Sequence, residues 1–419
     1  MSARQLGVRA VEGNTAWVLV SAALVLFMTP GLAFFYGGMV RSKNVLGMLM
    51  QNVFAMGLVS VIWAVVGFSL AFGGSGGWLG NLSFAGFKGL GHAGAQIPGF
   101  GAALAIPALA FAAYQMMFAV ITPALITGAT ADRMKFSAYI VFIGVWSVVV
   151  YPTVAHWVFS PNGWLFKRGA LDFAGGAVVH VNAGAAALAL AILLGRRRGW
   201  PNEAMPPHNL PFTALGTGIL WFGWFGFNAG SALAADGLAA QALVNTHLAA
   251  AAAMLGWLLI EKLRGGHATT LGACSGAVAG LVAITPCAGF VGGLAPVAIG
   301  FLAGVVCFLA LKLKFRLNLD DSLDVVAVHL VGGSLGSLLL GLFADRSVNP
   351  AGRNGAFFGG GFGLLGEQFL AVGATFAFSF AVSFALGLAL KRTIGLRVDE
   401  EDELVGLDRT QHAEAAYAT

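Results

Sequence analysis

ALDFAGGAVVHVNAG, residues 170–184, leads into an apolar run at 174–195 that carries a single histidine. A helix of about 20 apolar residues is long enough to cross the hydrocarbon core of a bilayer. Ten further apolar runs are separated by short charged or Gly/Pro-rich breaks. The eleven runs cover approximately residues 17–39, 46–72, 101–127, 136–158, 174–195, 210–230, 238–261, 269–285, 290–311, 325–343 and 365–390. The sequence therefore predicts an all-α polytopic membrane protein with eleven transmembrane helices.

The composition agrees with this class of protein. Of the 419 residues, 58% are hydrophobic and only 10% are charged. Soluble domains carry about 25% charged residues, so a water-soluble enzyme of ordinary build is excluded. The 60 glycines have no Gly-X-Y period, which excludes collagen and favours close helix packing in lipid. The three cysteines lie in apolar stretches and no HExxH, GxSxG or Walker pattern occurs, so we predict no disulfide, metal, cofactor or enzymatic activity.

The Lys and Arg residues predict the orientation, because basic loops stay on the cytoplasmic side. Alternate loops on one side carry twelve of these residues, and the loops on the other side carry five. The segment 1–16 is therefore expected outside and the tail 394–419 inside, with the transmembrane domain at 17–393. Residues 1–16 lack the apolar core of a cleavable signal peptide. The basic loops also account for the net charge of +5 without a nucleic-acid partner.

Two segments suggest an inverted repeat of five plus five helices, followed by a final helix at about 365–393. Residues 170–184 and 324–333 each contain an acid, an apolar turn or two, a histidine and then small residues. The two repeats would cover about 17–195 and 210–343. Chance is the alternative, because a histidine followed by small residues is unremarkable in a glycine-rich chain.

Ionisable groups inside a bilayer are costly, so those that lie there are functional candidates. His180 and His329 lie several residues inside the fifth and tenth runs, at matching places in the two repeats. A pseudo-two-fold axis would bring the imidazoles together near the midplane, and the alternative is two separate core histidines. Asp172 precedes His180 by about two helical turns, so we expect both on one face of the fifth helix. Asp is also a preferred residue at a helix N-cap.

Aromatic residues near the third, fourth and sixth runs form another candidate group. Rings at a membrane edge usually belong to the headgroup belt, but ring faces also attract small cations by about 0.5–2 kcal/mol each. Composition does not choose between these interpretations. The rings are Tyr114, Phe118, Trp157, Phe159, Trp164, Trp224 and Phe227. Of these, Trp157, Phe159 and Trp164 are expected outside the helices.

Seven blocks of sequence, in order, resemble the ammonium transporter family of Amt, Mep and Rh proteins, and in particular its bacterial Amt type. The resemblance runs from about residue 15 to the end of the chain. The blocks are PGLAFFYGGMVR (30–41), FAVITPALITGATA (118–131), DFAGGAVVH (172–180), PHNLP (207–211), WFGWFGFNAGS (221–231), LGACSG (271–276) and the tail from GLRV (395–398) to GLD (406–408).

The resemblance implies a homotrimer in the bacterial inner membrane, with one narrow pore in each subunit. In this family an external site recruits ammonium with aromatic faces and a Ser hydroxyl, and the matching residues are Ser231, Tyr114 and Phe159, with Asp172 as the supporting acid. Phe159 stands where the family usually has Trp, and Tyr114 where many members have Phe. Further aromatic residues considered for this external site are Trp157, Trp164 and Trp224.

The resemblance also implies a pore below this site. Phe118 and Phe227 match two stacked rings that close the pore, and His180 and His329 match the paired histidines that line it. A bare ion in a dry pore costs tens of kcal/mol. Removing a proton from an amine with a pKa of roughly 9–10 costs only about 3–4 kcal/mol at pH 7. We therefore expect ammonium to lose its proton near the Phe rings and to cross as ammonia.

A regulatory partner and two alternative functions follow from the same resemblance. Basic residues at 196–198 and 312–316 are expected to meet the acidic tail and to dock a PII-type signal protein, although positive-inside topology alone explains these charges. An Rh-type channel for ammonia and carbon dioxide is one alternative function. An ammonium sensor is the other, and it should carry an added cytoplasmic domain, for which residues 394–419 leave no room.

Overall fold

The computed structural model describes residues 3–92, 94–101 and 104–417, and these residues are helical apart from loops and one bridge between Met134 and Arg397. The main helices in the described ranges, α1 to α11, are Ala3–Met39, Ser42–Phe72, Ala108–Thr130, Phe136–Val149 with its continuation Tyr151–Phe159, Gly176–Leu194, Leu210–Ala229, Gly237–Gly265, Thr270–Ile284, Ala295–Arg316, Val326–Phe343 and Gly363–Arg392. Two short helices in the tail, α12 and α13, are Glu400–Val405 and Leu407–His412.

Length and apolar composition make ten of the described helices able to cross a membrane, and α8 is a shorter apolar helix of 15 residues. The predicted all-helical membrane fold is confirmed, and each predicted run corresponds to one helix. Polar side chains begin several of these helices. Asn209 caps α6, Asp236 caps α7 and Thr269 caps α8, each by accepting backbone N–H bonds that the first turn leaves free.

Three helix starts differ from the prediction. The first helix begins at Ala3 and not near residue 17, so most of the predicted N-terminal segment 1–16 is helical. The third begins at Ala108 and not at residue 101, because Pro107 occupies the cap position. The ninth begins at Ala295, where residue 290 was expected. A glycine pair precedes it, and Gly293 has a positive φ of 58° that ends the preceding loop.

The loops divide into two groups by contact. The tail contacts the start of α2 and the loops that follow α3 and α5, and we call this end of the helices the tail side. The loops that follow α2, α4, α8 and α10 contact one another at the other end, which we call the opposite side. The helix ends therefore alternate as the apolar runs predict, and the more basic loops lie on the tail side.

The helices α5 and α10 lie at the centre of the fold, and α5 is the most deeply buried of the ten long spans. Both begin with a six-residue π-helical segment, Gly176–Val181 in α5 and Val326–Val331 in α10. An acid lies eight residues before each histidine, because Asp172 precedes His180 and Asp321 precedes His329 by the same spacing. Asp321 accepts the N–H of Val326 at 2.7 Å and so corresponds to Asp172. The comparison of segment 170–184 with segment 324–333 paired Asp172 with Asp324, and this pairing is wrong.

Candidate pore

Two histidines from the two central helices contact each other inside the protein. The Nδ1 atoms of His180 and His329 are 3.2 Å apart, and both side chains are buried. The ring planes are inclined by 24°. Because a hydrogen bond needs one donor and one acceptor, this contact requires one Nδ1 to carry a proton and the other to be bare. The matching positions of the two histidines in the sequence thus correspond to a direct contact in space.

Small residues allow the two helices to approach this closely. A Cβ atom on Gly333 would lie 2.8 Å from the Cβ of His180. A Cβ atom on Gly184 would lie 2.5 Å from the backbone nitrogen of Leu330. Each glycine lies four residues after the histidine of its own helix, so the two contacts are related by the same internal symmetry as the histidines.

Aromatic rings lie next to the histidine pair, between it and the opposite side of the protein. Phe118 of α3 and Phe227 of α6 lie with their ring centroids 4.3 Å apart. The centroid of Phe227 is also 6.1 Å from that of His180. Trp224 lies flat beside His180, at 5.5 Å and 20°, and donates its indole N–H to Thr285. Trp224, Phe227 and the two histidines line a narrow cavity of about 10 Å³, whose other lining side chains are apolar. This volume suits one small molecule.

Three residues that were predicted for the external site surround Phe118 on its side away from the histidines. The ring centroid of Tyr114 is 5.0 Å from that of Phe118, and the ring of Phe159 is perpendicular to Phe118 at 6.5 Å. The hydroxyl of Tyr114 lies 3.1 Å from that of Ser231 and 2.8 Å from the carbonyl oxygen of Phe227. Tyr114 is buried, whereas Ser231 and Phe159 are partly exposed. The structure thus groups Tyr114, Phe159 and Ser231 around one end of the Phe118–Phe227 stack.

The other predicted aromatic residues lie elsewhere. Trp157 packs against Trp164 and Trp78, and its indole N–H donates to the carbonyl oxygen of Trp78. Trp224 lies beside His180, on the inner side of the Phe stack. The expectation that Trp157, Phe159 and Trp164 lie outside helices is wrong, because a helical segment runs from Tyr151 to Phe159 and Trp164 begins a short helix.

Asp172 lies before α5 and not on it, which corrects the expectation that it shares a helix face with His180. Gly175 has a φ of 124°, which side chains disfavour, so the helix starts only at Gly176. The carboxylate folds back onto this first turn. Its two oxygens accept four backbone N–H bonds of 2.7–3.2 Å, from the residues at 175–178. Asp172 therefore caps the N-terminus of α5 with both of its carboxylate oxygens.

Comparison with known proteins identifies the family to which this architecture belongs. The model of the Ammonium Transporter Family matches residues 16–417. The chain belongs to this family. It is 54% identical to an ammonium transporter of Mycobacterium tuberculosis, over 97% of this chain and 90% of that one. The crystal structure of Saccharomyces cerevisiae Mep2 is 38% identical with a TM-score of 0.85, over 93% of this chain and 90% of that one. A structure described as a sensor Amt protein is 32% identical with a TM-score of 0.87, over 97% and 99%.

This family member also carries a buried charge cluster on its tail side, which the sequence did not reveal. Arg197 bonds Asp320 at 2.8 Å and Asp132 at 3.3 Å, and Arg41 bonds Asp132 at 3.0 Å. Burial lowers the pKa of Arg133 to about 10. Burial acts to raise the pKa of Asp320, but hydrogen bonds from Arg197 and the charges of both arginines hold it below its ordinary value. The cluster joins four loops of the tail side, those that follow α1, α3, α5 and α9.

The tail itself packs onto these loops. Glu403 accepts a 2.6 Å bond from Arg397 and a 2.7 Å bond from the backbone of Arg198. Asp408 accepts the N–H of Gly47 at 2.8 Å. The acidic tail therefore meets part of the predicted basic surface. Arg197, by contrast, lies buried in the charge cluster and does not contribute to that surface.

Proposed function

We propose that the chain transports ammonium across a bacterial inner membrane, with the tail side in the cytoplasm and α8 completing eleven crossings. The contact of His180 with His329 beneath the Phe118–Phe227 stack is the observation that carries this proposal. It puts two imidazole rings in the wall of a cavity whose other lining side chains are apolar. Such a cavity favours a small neutral guest that accepts and donates hydrogen bonds.

Recruitment of the cation is assigned to the residues above the Phe stack. Ser231 offers a hydroxyl oxygen, and the rings of Tyr114 and Phe159 offer faces to which a small cation is attracted. The Tyr114 hydroxyl has partners within the protein, so we assign the ring, not the hydroxyl, to the cation. Asp172 adds negative charge on the same side while it caps α5. Phe159 lacks the N–H donor of the usual Trp, so the site is expected to bind more weakly.

Passage through the pore follows deprotonation. Two stacked rings exclude water, and an unsolvated ion at that point costs far more than the removal of one proton. The proton therefore passes to water at the partly exposed outer site above Phe118 and Phe227, and ammonia continues. A neutral His180–His329 pair presents both a bare nitrogen and an N–H group, which match the donors and lone pair of ammonia. Ammonia takes up a new proton from water on the tail side.

Assembly and regulation complete the proposal. We propose a homotrimer with one pore in each subunit. Exposed Arg196 and Arg198, together with Lys312 and the acidic tail, form a charged surface on the tail side. A PII-type protein that docks on this surface would cover the pore exits. Co-purification of trimer and PII-type protein from ammonium-shocked cells is the expected result, and its absence with the full chain would contradict the docking.

The central experiment measures currents and ammonia uptake in vesicles that contain the purified protein, first with ammonium and then with potassium. His180→Ala and His329→Ala are expected to change flux or the discrimination against potassium. His247→Phe is the control, because this histidine of α7 packs against Trp221 and not against the His180–His329 pair. Unchanged flux and selectivity in both alanine variants would refute the pore role.

The same experiment separates the alternatives. A sensor would bind ammonium without flux, and the likeness to a sensor Amt structure makes this comparison necessary because the fold alone does not distinguish the two. An Rh-type channel would also pass carbon dioxide. We expect ammonium-dependent flux and no carbon dioxide permeability above that of protein-free vesicles.

A further inference from the structure

Gln368 is a buried amide in the last transmembrane helix, far in sequence from the candidate pore. Its side chain is 1% exposed. The amide oxygen accepts the backbone N–H of Leu171 at 2.8 Å. The amide nitrogen donates to the carbonyl oxygens of Leu171, at 2.8 Å, and Ser337, at 3.1 Å. The side chain therefore pairs with Leu171 through both of its ends, as one peptide group pairs with another.

These partners belong to the two segments that carry the pore histidines. Leu171 immediately precedes Asp172, whose carboxylate caps the helix of His180. Ser337 lies in α10, eight residues after His329. One side chain thus joins the loop before α5 to the body of α10, on the side of the membrane where Asp172 lies.

A second contact holds the same helices. Ser379, three turns further along α11, donates its hydroxyl to the carbonyl oxygen of Asn182 at 2.8 Å. Asn182 follows His180 by two residues. The helix α11 is the least buried of the ten long spans. Gln368 and Ser379 link it to α10 and the α5 region, and Lys391 adds a bond to the carbonyl oxygen of Leu193 at 2.9 Å. Hydrogen bonds of this kind fix geometry as well as contribute stability.

We infer that Gln368 is a positioning residue that sets Asp172 relative to the His180–His329 pair. The inference rests on the proposed transport function and deepens it. Gln368 does not touch the guest. It fixes the backbone from which Asp172 reaches α5, and so fixes the negative charge beside the outer cation site. Loss of the clamp lets the Leu171 segment move, which weakens cation recruitment more than it weakens passage through the pore.

The test compares Gln368→Met, Gln368→Glu and Glu367→Gln by ammonium-dependent flux into vesicles that contain the purified protein. Met keeps the length but removes every polar contact. Glu keeps an oxygen for the Leu171 N–H and loses both donated bonds. Glu367 is the matched control, because it is the adjacent residue and its ion pair with Arg168, at 2.9 Å, holds the neighbouring loop without contacting Leu171.

We expect Gln368→Met to raise the half-saturating ammonium concentration about tenfold with less than a twofold change in maximal flux. The half-saturating concentration of Gln368→Glu should lie between those of Gln368→Met and the wild type. That of Glu367→Gln should equal the wild-type value. The inference would be overturned if all variants had the wild-type half-saturating concentration. It would also be overturned if Glu367→Gln raised that concentration as much as Gln368→Met does. If the Met variant does not reach the membrane, the Glu variant carries the same test.

A double variant separates positioning from a general structural effect. If Gln368 acts through Asp172, then Asp172→Asn should remove most of the further effect of Gln368→Met on half-saturation. Fully additive effects would contradict the inference. Wild-type protein without any ammonium-dependent flux would instead refute the proposed function, so the two failures are distinguishable.

Discussion

The Cα of Gly333 faces the Cβ of His180 with no room for a side chain between them, since a Cβ atom on Gly333 would lie 2.8 Å from that carbon. The distance between α5 and α10, and with it the contact of the two imidazoles, thus depends on the absence of one methyl group. Gly184 has the equivalent position against Leu330. Small residues at helix crossings are the usual means of close packing within a membrane.

Gly333→Ala tests this dependence. The added methyl group must push α10 away from His180, so we expect ammonium flux to fall at least tenfold and stability to fall by about 1–3 kcal/mol. Flux in vesicles and thermal unfolding of the detergent-solubilised protein measure the two effects. Gly373→Ala is the control, because a Cβ at that position on α11 meets nothing within 4 Å. Wild-type flux in Gly333→Ala would show that the close approach is dispensable.

The membrane fold could be predicted from the sequence because the bilayer fixes the length of each apolar run. Runs of this length have few folded alternatives. The contact of His180 with His329 could be anticipated for a similar reason, since an intramembrane histidine needs a polar partner and the two occupy matching places. What the sequence could not provide was backbone direction at the helix starts, where a single residue such as Gly175 changes the path.

Three features of the site were predicted wrongly or missed from the sequence. Asp172 was expected on the face of α5 because regular helix spacing was extended through Gly175, whose φ of 124° ends that regularity. Asp324 was paired with Asp172 because it is the acid nearest to His329 in sequence. The acid with the equivalent contact is Asp321. Gln368 was overlooked, although an amide within an apolar run is itself a signal of a specific buried contact.

Asp172 has two roles that substitution can separate. Asp172→Ala leaves four N–H groups of the α5 start without an acceptor, so we expect reduced stability, by about 0.5–2 kcal/mol for the lost cap, together with loss of transport. Asp172→Asn retains one oxygen and should be more stable than the Ala variant, yet it should still recruit ammonium poorly because the charge is gone.

The control for this cap is Asp236→Ala. Asp236 accepts two N–H bonds at the start of α7, also on the opposite side, but contacts none of the candidate pore residues. We expect this variant to lose stability and to keep its half-saturating ammonium concentration. A transport loss in Asp236→Ala as large as in Asp172→Ala would show that any lost cap disables the protein.

Phe159→Trp tests the departure from the usual family residue at the external site. Trp is the stronger cation–π partner and also supplies an N–H donor. We expect the half-saturating ammonium concentration to fall about threefold to tenfold with little change in maximal flux. Phe166→Trp, an exposed ring on the same side, is the control. An unchanged half-saturation in Phe159→Trp would show that this ring does not face the recruited cation.

The buried charge cluster predicts a dependence of stability on pH. Burial acts to raise the pKa of Asp320, but its bonds with Arg197 outweigh that effect and leave the pKa below its ordinary value. A carboxyl whose pKa is lower in the folded state contributes stability above its unfolded pKa, near 3.9, and this contribution disappears as the pH falls through the folded pKa. The wild type should therefore lose thermal stability steeply below about pH 4.

Asp320→Asn should be less stable than the wild type at pH 7, because the buried Arg197 loses its bidentate partner. Its Tm should approach that of the wild type as the pH falls below about 4, because the wild type then begins to lose the contribution of Asp320, and the loss is complete once the pH is below the folded pKa of this carboxyl. Asp321, whose pKa burial and Asp324 raise to about 6, titrates in both proteins, so the difference between the two Tm curves isolates Asp320. A Tm difference that does not change between pH 7 and pH 3 would show that the ion pair adds no pH-dependent stability.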